Sequence, residues 1–383
     1  MKLAAKTWCL LFCGIGVLAV IFLILLNSFA SSLNFFDDFF SNSYYGQNAD
    51  LRRVVLHTKA RYIRENPTLY NGFIVGGSRT GVLDPAIASR YTGLSFYNFS
   101  FSQGSQDVYE EIIDFLIENT AVKQIILQLN GQEVLGYVKR YDKAIYASES
   151  RLITAMGDLR DILFASIGPD QLKAIFEKPL NNPKIHENGM IDTIELYAPE
   201  ERLDPDLIGR KLLPSFQNEY KKIFIDRPYW SYRGTDPMLA SLRRIKNKCI
   251  ANNIEFTLLM APTSPAVLSL IESPFYWECL RSISEVTDYY NFNGFSKYNF
   301  NPYDFADGGH YRREMGDKML HIIFGQEPAG DDDWGILLTR DTIDAYLERR
   351  KNTYLELKKL YEETGAMVLG DMTDASFIPL KEY

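Results

Sequence analysis

The chain has 383 residues, 46% of them hydrophobic and 14% aromatic, enough for one large domain with a sizeable core. Its formal net charge of −8 excludes the basic face that a nucleic-acid partner requires, and no basic run restores one. His57, His186, His310 and His321 are scattered, and no Cys/His cluster has metal-ligand spacing. A structural zinc site is therefore not expected.

Lys2 and Lys6 precede an uncharged run from Trp8 to Leu26. At about 1.5 Å per residue, that run is close to the length needed to cross a hydrocarbon core about 30 Å thick. Lysines before it and Asp37 and Asp38 after it predict a cytoplasmic N-terminus, with the bulk of the chain outside the cytoplasm. Ser28-Phe29-Ala30 also reads as a signal-peptidase site. An uncleaved membrane anchor through residues 8–26 is favoured over a cleaved signal, because the apolar run exceeds a usual signal core. Cys9 and Cys13 lie in this segment. Cys249 and Cys279 could pair in an oxidising compartment, but the expectation is two free thiols, since Cys249 falls on the apolar face of a predicted helix.

Residues 31–70 read as a tether and lead-in. Phe35, Phe36, Phe39 and Phe40 suit a lipid surface, and a helical pattern then runs to about Ile63, ended by Pro67. From Asn71 the pattern alternates. Strands are predicted at Phe73–Gly76, Leu94–Phe99 and Lys123–Leu129. Between them a helix opens at Asp84-Pro85, and another begins at Ser105 with Val108, Ile112, Phe115 and Leu116 on one face. This order implies a parallel sheet with helices on its faces. Residues 133–235 break the alternation and read as a helical insertion or cap, with helices around 149–164 and 170–177.

Alternation resumes at Asp236-Pro237. A fourth strand is predicted at Ile254–Met260, a helix around Phe275–Ser284, a weak fifth strand near Thr287–Phe292, and a helix from about Arg312 to Ile323. After an acidic spacer, a helix from about Asp341 to Thr364 is expected to pack back on the domain rather than meet a partner. The divisions are then 1–30 as anchor or signal, 31–70 as lead-in, 71–325 as one α/β domain carrying the insertion, and 326–383 as a C-terminal helical extension.

The stretch Phe73-Ile74-Val75-Gly76-Gly77-Ser78-Arg79-Thr80 carries the chemistry. An apolar strand stops at two glycines and presents Ser78 at the sheet edge, either as a nucleophile or as a cap on the next helix. A serine nucleophile needs a base, an orienting group and oxyanion donors. His310, after Gly308-Gly309, is the best base, and Asp307 three residues earlier can orient it. The alternative is a loop acid and a helix-start residue. Gly104, opening a helix after strand two, and Asn130 after strand three are candidate oxyanion donors. Each could instead be a turn residue. The aromatic clusters Tyr298, Phe300, Tyr303 and Phe305, and Tyr229, Trp230 and Tyr232, suit sugar rings but read first as packing. Arg79 and Tyr303 are the candidate substrate-binding residues, with Arg312 and Arg313 as further cations.

Ser78, Gly104, Asn130 and Asp307 with His310 stand in the order that characterises the SGNH, or GDSL-type, hydrolases. The chain resembles that family over residues 71–132 and 236–325. Gly76-Gly77-Ser78-Arg79-Thr80, with the N-terminal apolar run, is most similar to its membrane-anchored branch, which works beside membrane-bound O-acyltransferases in acylating cell-surface polymers. The resemblance implies a three-layer, flavodoxin-like α/β sandwich on a mostly parallel five-stranded sheet, and a Ser78–His310–Asp307 triad with Gly104 and Asn130 as oxyanion donors. It implies an acyl ester, acetyl in the first instance, on a surface or extracellular polysaccharide, and a membrane-bound O-acyltransferase as partner. It implies no metal or organic cofactor. The sequence departs from the family at Leu129-Asn130-Gly131, where Gly-x-Asn-Asp is usual, and lacks an Asp before Ser78. A non-catalytic scaffold of the same fold, serving an acyltransferase or polymer-export complex, is the alternative.

Overall fold

Three runs, Gly72–Gly76 (β1), Phe96–Ser100 (β2) and Gln124–Leu129 (β3), are buried along their whole lengths. Strands covered on both faces have that pattern. The computed structural model pairs them in parallel and adds Glu255–Met260 (β4) and Tyr289–Asn291 (β5), also parallel, and Ile336–Leu338 (β6), antiparallel. The strand order is β2-β1-β3-β4-β5-β6. The structure describes residues 8, 11–12, 14–22, 52–101, 104, 106–134, 185–191, 235–265, 268, 271–301, 304–305, 309–330 and 333–364.

The sheet thus has six strands where the sequence predicts five. β6 is too short for a period of two to register. Its place is set by pairing, with Tyr289 opposite Leu338 and Asn291 opposite Ile336. Asp333 and Gly335, at φ of 64° and 80°, turn the chain into it.

Alternate strand residues face opposite layers. Phe73, Val75, Ile125 and Leu127 pack with Arg52–Glu65 (α1), Gln106–Asn119 (α3), Thr235–Ala251 (α5), Pro274–Val286 (α6) and Ile343–Thr364 (α9). Ile74, Ile126 and Leu259 pack on the other side with Pro85–Thr92 (α2) and Arg313–Ile323 (α8). The one-turn helices Gly131–Val134 (α4) and Lys297–Phe300 (α7) lie in loops. Local chemistry sets the helix ends. Asp84 accepts from Ala86 N at 2.8 Å with Pro85 at the first position, and Gly93, at φ 73°, stops α2. Ser273 and Pro274 open α6 in the same way.

The lead-in helix is part of the core. Val55, Leu56 and Ile63 of α1 are fully buried. Lys59 is also fully buried, and its ammonium donates to the carbonyls of Asn98 (3.0 Å), Ser100 (2.7 Å) and Gly189 (2.7 Å). Burial holds its pKa well below the ordinary lysine value. Residues 185–191 also line the β2 edge, where Asn98 N donates to Asn188 O at 2.9 Å and Ile191 N to Gly81 O at 3.0 Å. The remaining insertion, including the predicted helices around 149–164 and 170–177 and the cluster Tyr229, Trp230 and Tyr232, lies outside the described residues.

At the other end α9 packs back, burying Ile343, Leu347 and Leu357. Its Arg350 forms a buried ion pair with Glu272. Cys249 and Cys279 are buried and are not joined to each other by a disulfide, as expected. Of the expected membrane span, residues 8, 11–12 and 14–22 are described; they are helical and exposed. Among the described residues no helix is long and apolar enough to cross a membrane.

Candidate active site

β1 lies between β2 and β3, so the chain leaves it to one side for β2 and returns on the other for β3. Such a switch point opens a crevice at the strands' carboxyl ends, where open α/β sheets place their ligands. The loops after β1, β2 and β3 carry Ser78, Gly104 and Asn130 to that edge.

Ser78 begins a 3₁₀ turn, Ser78–Val82, in which Thr80 N donates to Gly77 O at 3.0 Å. The buried Asn98 amide holds the turn by donating to Thr80 O at 2.8 Å and Leu83 O at 2.9 Å. The helix-cap reading of Ser78 does not apply, because Asp84 caps α2. The Ser78 hydroxyl instead stands 2.8 Å from His310 Nε2, both residues half-buried. Residues 232 positions apart are thereby within hydrogen-bond reach.

His310 is held from both sides. Phe305 and Tyr311 form an antiparallel bridge, and Arg312 N donates to Asp304 O at 2.7 Å. Tyr311, buried, donates its hydroxyl to Gln128 Oε1 of β3 at 2.6 Å. On the near side Gly309 lies against the Arg79 guanidinium; a β-carbon at 309 would be 2.7 Å from an Arg79 nitrogen. Arg79 is itself buried and donates to Thr263 Oγ1 at 3.0 Å, so it is wedged between the β1, β4 and His310 loops. Asp307 and Tyr303 lie outside the described residues. Phe300 and Phe305 are buried, and Tyr298 packs on Trp334 at 4.5 Å between ring centres, in line with the packing reading of this cluster.

The two candidate oxyanion donors converge on the residue before Ser78. A β-carbon at Gly77 would lie 3.2 Å from Gly104 N and 3.4 Å from Asn130 Nδ2. Glycine there keeps open the space beside both nitrogens. At Gly104 any side chain is excluded, because the Tyr109 hydroxyl stands 1.9 Å from where the β-carbon would be.

Two residues of this arrangement, Glu133 and Tyr109, are not among the sequence candidates. Glu133 on α4 is buried and accepts from Asn130 N (3.0 Å), Asn130 Nδ2 (2.8 Å) and Tyr109 Oη (2.9 Å). Burial pushes its carboxyl up from 4.5 to about 7, against the opposing pull of those hydrogen bonds and of the Arg79 charge. The Asn130-x-x-Glu133 spacing is that of a capping box and was available as a signal.

Together these groups set a serine hydroxyl against an imidazole nitrogen, with a backbone nitrogen and a side-chain amide close to the preceding residue, an arrangement of the type that serine acyl transfer requires. Among the described residues no group of three or more His, Cys, Asp or Glu side chains is placed to hold a metal ion. No protein-family model matches the chain, and no curated protein sequence does so.

Proposed function

We propose that the chain is an exported, membrane-anchored serine esterase or O-acyltransferase of SGNH type, on the three-layer flavodoxin-like form of that fold. The observation that carries the reading is the 2.8 Å approach of Ser78 Oγ to His310 Nε2, at a sheet edge where Gly104 N and Asn130 Nδ2 converge. The substrate class is an acyl ester, acetyl in the first instance, on a surface or extracellular polysaccharide. The partner is a membrane-bound O-acyltransferase.

In this mechanism Nε2 of neutral His310 accepts the Ser78 proton as Oγ attacks the acyl carbon. The carbonyl oxygen becomes an oxyanion between Gly104 N–H and the Asn130 amide. The ester C–O bond then breaks, and the imidazolium returns its proton to the departing alcohol, leaving an acyl-serine. Water or a sugar hydroxyl repeats the cycle in reverse, and the nature of that acceptor separates hydrolysis from transfer. Asp307 is assigned to the His310 nitrogen facing away from Ser78, where a carboxylate fixes the tautomer.

A fluorophosphonate probe on the full chain in detergent tests the reading. The expected result is one labelled site, Ser78, with labelling lost in Ser78→Ala and reduced about 10⁴-fold in His310→Ala at unchanged melting temperature. Equal labelling of wild type and Ser78→Ala overturns it. No labelling of wild type leaves the scaffold reading.

A further inference from the structure

Glu133 is a buried carboxyl for which the acyl-transfer steps above give no use. Capping explains one of its contacts, the bond from Asn130 N. It does not explain why a helix of only four residues should carry a buried carboxylate that also accepts from the Asn130 side chain and from Tyr109. Those two further donors are the groups that touch the oxyanion space. Asn130 Nδ2 and Tyr109 Oη would both lie within 3.4 Å of a β-carbon at Gly77, and the same Tyr109 hydroxyl sits over the Gly104 α-carbon.

We infer that Glu133 is the positioning residue of the oxyanion hole, orienting the Asn130 amide directly and the Gly104 backbone through Tyr109. The inference rests on the serine-nucleophile reading of the site. The physical reason is the asymmetry of an amide. A carboxylate accepts hydrogen bonds and repels a carbonyl oxygen, so Glu133 compels Asn130 to turn Nδ2 towards it. One Nδ2 hydrogen is then committed to Glu133, and the other is left for the crevice. Without the carboxylate the amide can rotate and present its oxygen to the developing negative charge, turning a donor into a repulsive group.

The same geometry ties the hole to protonation. Three donors meet two carboxylate oxygens, one of which accepts twice. Adding a proton to the carboxyl removes its negative charge and puts a fourth hydrogen in that space, which weakens its hold on all three donors. The charged and ionisable groups facing Glu133 are Tyr109 from α3 and Arg79 from the turn after β1. The Tyr276 phenol of α6 stands against Gly131 on the far side.

The test uses the full chain, p-nitrophenyl acetate and the fluorophosphonate probe. Glu133→Gln is expected to lower kcat and the labelling rate about 100-fold with KM little changed, the signature of an interaction made in the transition state. A folded Glu133→Gln chain that is labelled at the wild-type rate overturns the inference while leaving Ser78 as the nucleophile. A wild-type chain that is not labelled overturns the serine reading itself. Tyr109→Phe gives a second route if Glu133→Gln does not fold. It removes one donor from the carboxylate and should move the acid limb of the labelling-rate profile to higher pH; an unmoved limb overturns the inference.

Discussion

Two carboxylates are buried beyond the carboxyl ends of the neighbouring strands β3 and β4, and they are held in contrasting ways. Glu272, ahead of α6, meets a full positive charge. Arg350 of α9 donates to it through Nε at 3.0 Å and again through a second guanidinium nitrogen, with both side chains almost wholly out of solvent. Arg350 also reaches Asn293 O and, at 2.7 Å, Tyr346 Oη. Glu133 has no ion-pair contact among the described residues. Its partners are two amide N–H groups and a phenol, and Arg79 acts on it only through its field. The first arrangement locks the C-terminal helix to the domain. The second leaves a carboxyl poised to gain or lose a proton near neutrality, close to Gly77 and Ser78. Strongly shifted carboxyls of the second kind belong to functional sites more often than to structural ones.

The contrast predicts different failures. Glu272→Ala strands Arg350 in the interior and should cost about 3–5 kcal/mol in denaturant unfolding. The folded fraction should lose less in Ser78 labelling than it loses in stability, and the reverse would break the comparison. Glu133 should show itself in pH dependence. Burial raises its pKa from 4.5 to about 7, so at intermediate pH the folded chain retains a proton that the unfolded chain has released. Its contribution to stability is full below a pH of about 4.5 and is lost as pH rises through about 7, about 3 kcal/mol in all. Denaturation midpoints across that window should fall in wild type and flatten in Glu133→Gln. Parallel curves would remove Glu133 from the account. The smallest effect is expected at Gly77→Ala. The new β-carbon would crowd Gly104 N, Tyr109 Oη and Asn130 Nδ2 at 3.2–3.4 Å. It should slow labelling about 10- to 100-fold for about 1 kcal/mol of stability. Wild-type labelling would mean that the oxyanion space lies elsewhere.

The parts legible in the sequence were those with local causes. The strands β1 to β5 follow from apolar runs, and α2 from Asp84-Pro85. Ser78 and His310 stand out because glycines flank both, and the fold brings them into contact. What escaped depends on partners far apart in the chain. β6 exists only as the mate of β5. Glu133 looks like the boundary of the insertion until Tyr109, 24 residues earlier, is seen to donate to it. Arg79 reads as a substrate-binding or solvated cation beside Ser78, but the space under Gly309 and the hydroxyl of Thr263 take it inward. The lead-in helix was legible as a helix; its fully buried lysine was not, because backbone carbonyls carry no sequence signature.

That lysine has a mechanical consequence. α1 precedes the first strand, and Lys59 fastens it to carbonyls of β2 and of Gly189. A pull on the chain upstream of Arg52 is therefore delivered to the outermost strand of the sheet, through one desolvated cation and the apolar face around it. β1, which presents Ser78, comes after that anchor in the chain.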